Sequence, residues 1–425
     1  QKAGFLGQSP RQINRGAIIG VRWRRFSAVF GPGLVVMLAD TDVGSIITAA
    51  QSGVSWGYRL LLLQLVLIPI LFVVQDLAVR LGIFTGRGHG ELIRATLGAG
   101  WAWASAAALV VAGLGALVTE FSGVAGVGTL YGVPRLVSLL AAAAVLLAVV
   151  LSGSSRRAER VALALGLFEL SFFVVAWAAH PDPAAVAQGA IDIPWTDLDY
   201  AYLAAANIGS VVLPWMIFYQ QSAVAEQRLR QEDYPAARLD TAIGAVVTQL
   251  VMAAVLMACA ATIGRDRPGA ALSSVGEISQ ALTPLLGGRI GRLVFGAGVL
   301  GAAFVAAIVS SQAIAWGVGE VSGYRRVLEH QPLRVRWFSA LYVVSIVGVA
   351  LLVAVWPDLI ALNIGVQVMN ALLLPLVLGV LLTLSARALP AGVRPRGVYW
   401  MVLVAVLALT GALGLAGGVG GVLLR

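Results

Sequence analysis

Two carboxylates, Asp40 and Asp42, stand in the middle of an otherwise apolar run, FGPGLVVMLADTDVGSIITAAQ, from Phe30 to Gln51. An ionised carboxylate near the centre of a bilayer is expensive and persists where it faces a cavity or binds something. The stretch Asp40-Thr41-Asp42-Val43-Gly44-Ser45 is also poor helix, with acidic, β-branched and glycine residues in succession. An apolar span broken at its midpoint by acids and glycine is the pattern of a discontinuous transporter helix. The expectation is a cation site within the membrane.

The rest of the chain fits such a setting. Only 12% of its 425 residues are charged and its mean hydropathy is +0.90, whereas soluble domains carry about 25% charged residues. Apolar segments of about 20 residues each fall at 27–52, 60–84, 101–128, 134–152, 158–179, 200–225, 240–263, 289–319, 335–356, 359–386 and 398–423. This predicts an all-α polytopic membrane protein of about eleven spans. The expected organisation is an N-terminal segment (1–26), five spans (27–180), an outer loop (181–199), five more spans (200–386) and a last span with the C-terminus (387–425).

With the N-terminus inside, 22 of the 29 basic residues fall in inside segments. The positive-inside rule then places the N-terminus in the cytoplasm and the C-terminus outside, in a plasma or inner membrane. The same distribution accounts for the net charge of +9 through the anionic cytoplasmic leaflet, so no nucleic-acid partner is expected. The lipid bilayer is the expected environment, and no obligatory protein partner is evident. The first 26 residues contain no cleavable apolar region, so no signal peptide is expected. Cys259 is the one cysteine and has no CxxC context, and His89, His180 and His330 lie outside the apolar spans. There is no P-loop, HExxH or nucleophile elbow, so an enzyme is not expected.

The sixth span repeats the anomaly of the first. In AAANIGSVVLPWMIFYQQSAVAEQ, from Ala204 to Gln227, Gly209-Ser210 and Pro214 interrupt the apolar pattern. Proline within a helix removes one backbone bond and clashes with the preceding turn, which frees carbonyls near Ser210 and Val211. The two breaks are roughly 170 residues apart, each in the first helix of a five-helix half. Such paired interruptions point to a midplane site between inverted repeats; hydropathy alone carries the symmetry.

The residues from Gly31 to Gln64 (GPGLVVMLADTDVGSIITAAQSGVSWGYRLLLLQ) and from Gln75 to Leu92 (QDLAVRLGIFTGRGHGEL) resemble the first two helices of the Nramp divalent-metal transporters. Thr119-Glu120, Arg157-AERVAL, Asp240-Thr241-Ala242, Ser310-SQAIAWG and Gly365-VQVMNALLLP extend the resemblance along the chain from about residue 26. The resemblance implies a LeuT-like 5+5 inverted repeat, broken helices one and six, and alternating access.

The departures from the family are specific. Its Asp-Pro-Gly-Asn becomes Asp42-Val43-Gly44-Ser45, and its Met-Pro-His becomes Leu213-Pro214-Trp215. The thioether that favours soft metals and the imidazole that titrates near neutral pH are both gone. Leu117 stands where a third-helix acid is usual, while Glu120 remains and Gln367 falls at a glutamine position of helix ten. This pattern is similar to the Nramp-related magnesium transporters. It implies uptake of hydrated Mg²⁺, with Mn²⁺ as a second substrate, without proton coupling and with no resident cofactor. A proton-coupled Mn²⁺/Fe²⁺ transporter is the alternative; an organic-solute transporter of the same fold or a transport-dead metal sensor are alternatives of another class.

The donors near the breaks are oxygens, a set that suits Mg²⁺, Ca²⁺ or Mn²⁺. The candidate metal residues are Asp42, Ser45, Asp40, Gln367, Ser210, Val211 and Gln220, with Thr41, Leu213, Trp215, Asn370 and Glu120 expected to shape or gate the cavity. Each has a plainer role open to it. Asp42 is a good helix N-cap, Thr41 and Ser45 can satisfy broken backbone, and Gln220 and Gln221 point about 100° apart, so at most one faces the site. Glu120 is either on an ion route or a structural acid. Asp76 and Arg80 are spaced as a structural pair, and Glu169 in the fifth span has no evident partner.

Overall fold

A backbone crossing a bilayer must satisfy its polar groups within its own segment, so apolar stretches of this length fold as helices. A computed structural model describes residues 32–151, 164, 166–194, 196–272, 274–282, 287–323 and 336–423. The expected N-terminal segment 1–26 and the arginines at 156–160 and 325–334 lie outside the described residues.

The first span is α1 (Pro32–Asp40) and α2 (Val43–Trp56), bent by 48° at their junction. Then come α3 (Leu61–Thr85), a short α4 (His89–Leu97), α5 (Ala99–Leu130) and α6 (Arg135–Leu151). The fifth span is described from its 3₁₀ turn Leu167–Leu170 into α7 (Ser171–Ala178), and α8 (Pro183–Ile191) lies in the following connection. The sixth span is α9 (Leu198–Val211) and α10 (Pro214–Glu226). Beyond it are α11 (Tyr234–Cys259), α12 (Val275–Leu282), α13 (Gly288–Ser322), α14 (Arg336–Val355), α15 (Leu359–Arg387) and α16 (Gly397–Leu423).

Among the described residues seven helices are long and apolar enough to cross a membrane, eight with the bent first pair. Three shorter apolar helices, within α6, the fifth span and α14, stand where the fourth, fifth and ninth spans were expected. The chain is thus an all-helical polytopic membrane protein. Its surface agrees: Trp101, Trp103, Leu140, Trp177, Val398 and Met401 are exposed while Asp40, Asp42, Glu120 and Glu169 are buried. That inversion is stable only where the surroundings are lipid.

The sixth span breaks later than the sequence suggested. Gly209 and Ser210 remain helical in α9, and the gap falls at Val212 and Leu213. Pro214 is the first residue of α10, where a missing N–H costs nothing and the fixed φ suits a helix start. Gly209 has a different purpose: a Cβ there would stand 2.0 Å from the Gln367 carbonyl oxygen and 2.6 Å from Ala371 N. Its bare backbone lets α15 lie directly on α9.

The helix ends are held by side chains. Asp240 of α11 accepts from the Leu34 N–H at 3.1 Å, satisfying one of the open donors at the start of α1. Asp76 and Arg80 of α3 form the expected pair at 2.8 Å, joined by the Tyr234 hydroxyl, which donates to Asp76 at 2.8 Å.

Candidate functional site

The first break is built by its own acids. Asp42 is the N-cap of α2, its Oδ1 accepting from the Ser45 N–H at 2.6 Å. Glu120 of α5 accepts from the Val43 N–H at 3.3 Å and from the Thr119 hydroxyl at 3.0 Å. Two carboxylates therefore meet the open N–H groups of α2, where the helix dipole favours negative charge. The Thr41 hydroxyl lies 3.4 Å from the Thr248 hydroxyl, and Thr248 donates to the Met37 carbonyl.

Ser45 joins the two breaks. Its hydroxyl is 3.0 Å from the carbonyl of Asp40, at the end of α1, and 3.2 Å from the carbonyl of Ser210 in α9. The Ser210 carbonyl has no helical donor because the residue four ahead is Pro214, which lacks an N–H. One hydroxyl carries one proton, so it satisfies one of these carbonyls at a time.

Gln367 closes the third side from α15. A Cβ on Gly44 would stand 1.9 Å from Gln367 Nε2, so the glutamine head group lies against the start of α2. Its Oε1 accepts from Asn370 Nδ2 at 3.0 Å, while Asn370 Oδ1 has no partner. A joint flip of the two amides preserves a hydrogen bond, Gln367 Nε2 to Asn370 Oδ1, and turns Gln367 Oε1 to the break. The pair can therefore present either a donor or an acceptor there.

Asp40 and Asp42 are no more than 1% exposed, and both oxygens of Asp40 and Oδ2 of Asp42 lack a hydrogen-bond partner. Buried unpaired acid oxygens carry a penalty of several kcal/mol that a cation relieves. Among the described residues no three His, Cys, Asp or Glu side chains group closely enough to hold a metal ion alone. Any ion here must also use amides, hydroxyls, carbonyls or its own water.

Not every expected residue reaches this centre. Gln220 turns to α11, with Nε2 3.5 Å from the Thr241 hydroxyl and Oε1 unpartnered. Gln221 instead meets His89 Nδ1 at 2.7 Å and donates to the Arg87 carbonyl at 3.1 Å. Leu213, Trp215 and Met216 are buried in the apolar cluster that includes Val36, Met37 and Val212. Val211 ends α9 beside them.

Sequence reasoning noted Glu169 as an acid without an evident partner but did not place it at the first break. It lies wholly buried in the fifth span, with neither carboxylate oxygen hydrogen-bonded, close enough to feel Asp42 and Asp40 and facing Thr41. Its isolation in an apolar helix was visible in the sequence, but its neighbour 128 positions away in the chain, Thr41, was not.

The two ends of the molecule differ. At the Arg59 end a cleft of about 540 Å³ opens between α2, α9 and α15, lined by Gln51, Trp56, Tyr202, Leu203, Asp358 and Ile364. Gln51 is nine residues, roughly 13 Å of helix, beyond Asp42. At the Arg80 end Glu320 of α13 accepts from the Gly90 N–H at 2.8 Å and from the Ser222 hydroxyl at 2.7 Å, tying α4 and α10 to α13. His89 packs edge-on to Phe218 with ring centres 4.6 Å apart.

Known proteins share this fold. The family model for natural resistance-associated macrophage protein-like sequences (Nramp) matches residues 33–419. The chain belongs to the Nramp family. A divalent metal cation transporter MntH of Bradyrhizobium diazoefficiens is 31% identical over 299 residues, covering 66% of this chain and 65% of that protein. One from Chromohalobacter salexigens is 28% identical over 337 residues, covering 76% and 75%. The alignment thus spans about two thirds to three quarters of these relatives. A crystal structure of the Eremococcus coleocola manganese transporter matches this Nramp chain with TM-score 0.71 at 20% identity, over 98% of this chain and 90% of that one. The inward-facing structure of Mhp1 matches with TM-score 0.55 at 17% identity, over 93% and 89%. The fold is the LeuT-like one that the resemblance implied.

Proposed function

We propose that this Nramp-family chain is a secondary transporter that carries divalent metal cations through the membrane by alternating access. The observation that carries the reading is the meeting of both broken spans at Ser45, beside buried Asp40 and Asp42 oxygens without partners. The cleft at the Arg59 end and the closed contacts around Glu320 at the Arg80 end are read as the outer and inner gates. The halves 27–180 and 200–386 are read as inverted repeats, in an inner membrane with a cytoplasmic N-terminus and an outer C-terminus.

Mn²⁺ is the ion named for the Eremococcus coleocola transporter whose fold this chain shares, and an oxygen set accepts it. A second reading, Mg²⁺, is supported by the absence of sulfur at the breaks: Leu213 and Trp215 flank Pro214, and Met216 is packed among apolar side chains. Mg²⁺ keeps several waters, which suits a site with few acids able to close on it together. Direct contacts from Asp42, Asp40 and carbonyls at Ser210 and Val211, and water-bridged contacts from Ser45 and Gln367, are assigned on this reading, while Gln220, turned to α11, is left out.

The test is flux of Mn²⁺ and of Mg²⁺ into proteoliposomes, with internal pH followed, for the parent chain and Asp42→Ala. Entry of either ion, abolished by the substitution, is expected. Mn²⁺ entry with acidification and no Mg²⁺ entry would establish the proton-coupled form. Movement of neither ion by a folded parent would overturn the transport reading.

A further inference from the structure

The fifth span presses against the first break at one place. A Cβ on Gly166 would stand 2.8 Å from Leu38 Cδ1, so the backbone there touches α1 two residues before Asp40. The next four residues, Leu167–Leu170, wind as a 3₁₀ turn. In such a turn side chains at i and i+3 eclipse, so Glu169 projects on the side of Gly166, toward α1. Its surroundings agree, because it faces the Thr41 hydroxyl and feels the charges of Asp42 and Asp40.

Glu169 and Asp40 are at most 1% exposed; neither oxygen of Asp40 has a hydrogen-bond partner, and Glu169 has only the Thr41 hydroxyl, which it faces without a well-formed hydrogen bond. Asp42 and Glu120 differ, each accepting backbone N–H groups of α2. Among the described residues no arginine forms an ion pair with any of these four acids. One divalent ion answers two of the four formal charges, and in a dry interior the other two are met either by a second cation or by protons.

We infer that the first break holds a second hard cation between Asp40, Thr41 and Glu169, beside the one assigned to Asp42. Two carboxylates and a hydroxyl are hard oxygen donors, fit for Na⁺ or for a second divalent ion. The fifth span thereby becomes part of the transport cycle: movement of α1 away from Gly166 during gating separates Asp40 from Glu169 and opens this second site. The inference rests on the divalent-metal reading above.

The experiment is equilibrium binding to the full chain in detergent, using Mn²⁺ alone and Mn²⁺ with Na⁺, for the parent, Glu169→Gln and Glu169→Asp. Each variant is first checked for monodisperse elution and an unfolding midpoint near that of the parent. Two Mn²⁺ per chain in the parent, one in Glu169→Gln, and recovery toward two in Glu169→Asp are expected if the second ion is divalent. One Mn²⁺ in both, with Na⁺ tightening Mn²⁺ binding in the parent but not in Glu169→Gln, supports the site with Na⁺ as its occupant. Stoichiometry and Na⁺ response unchanged by Glu169→Gln would overturn the inference and assign Glu169 a proton. A folded parent that binds and transports no divalent ion would instead overturn the transport reading itself, a separate outcome.

Discussion

Substituting alanine at Gly44, Gly209 and Gly365 separates the ion site from the scaffold that carries it. At Gly44 the new Cβ would stand 1.9 Å from Gln367 Nε2, so the amide must retreat by about 1.5 Å to reach an ordinary contact. The obstacle is the far end of a flexible side chain, and overpacking of that kind costs about 1–3 kcal/mol, offset by up to about 1 kcal/mol of helix propensity. At Gly209 the obstacles are backbone: the Gln367 carbonyl oxygen at 2.0 Å and Ala371 N at 2.6 Å. Relief there requires the whole of α15 to move from α9, so its cost lies at or beyond the upper end of that range. Gly365, with nothing within 4 Å of a Cβ, is the control and becomes neutral or slightly more stable. Thermal unfolding in detergent and Mn²⁺ binding are measured for all three. Gly44→Ala is expected to unfold within a few degrees of the parent yet bind Mn²⁺ at least tenfold more weakly, about 1.4 kcal/mol. Gly209→Ala should show a large loss of stability. Parent-like Mn²⁺ affinity in a folded Gly44→Ala would refute the placing of Gln367 at the ion.

Asp42→Asn keeps an N-cap oxygen for the Ser45 N–H and should change stability by less than about 1 kcal/mol, while flux is lost; retained flux would remove Asp42 from the ion's path. Ser45→Ala leaves both the Asp40 and Ser210 carbonyls without that hydroxyl, an expected loss of about 1–3 kcal/mol in denaturant unfolding. His89, in the connection between α3 and α5, has its pKa pushed down to about 4 by burial, against the opposing effect of the hydrogen bond it makes to Gln221 Oε1. Its neutral form is the one packed against Phe218, and the unfolded or opened state binds a proton near pH 6.5. The stability of this contact is therefore complete above about pH 6.5 and falls as pH drops toward 4. Hydrogen exchange at the start of α4 should quicken over that window, and His89→Gln should flatten the response.

The first break was legible because its chemistry is local. Asp42, Gly44 and Ser45 are adjacent in the chain, and a cap formed from i to i+3 is written in four residues. The helical, membrane-spanning character was legible for the same reason, since lipid imposes length and apolarity on each segment separately. Gly209 misled because glycine lowers helix propensity and permits close packing, and only the neighbour decides which matters. The proline was read correctly as an interruption, but its clash acts on the turn before it, which moved the gap to Val212 and Leu213. Gln221 and Glu169 depended on partners far off in the chain, His89 and Thr41, and no periodicity encodes such a meeting.

On the proposed reading, the single proton of Ser45 gives the site its reason to bind a cation. Ending α1 at Asp40 and starting α10 at Pro214 frees one carbonyl in each half, and both are aimed at the same hydroxyl. Whichever carbonyl takes the proton, the other is left in a dry interior with its full desolvation penalty. A cation, or a water on a cation, removes that penalty and meets the unpartnered Asp42 Oδ2 at the same time. Because one carbonyl belongs to the first span and the other to the sixth, an ion that satisfies both ties the two halves together. Loss of the ion returns them to competition for one proton, so the contact between the spans is weakest when the site is empty. On the transport reading proposed above, alternating access follows from that dependence: the bonds that would select the ion also hold the broken spans in register, and its release frees them to move.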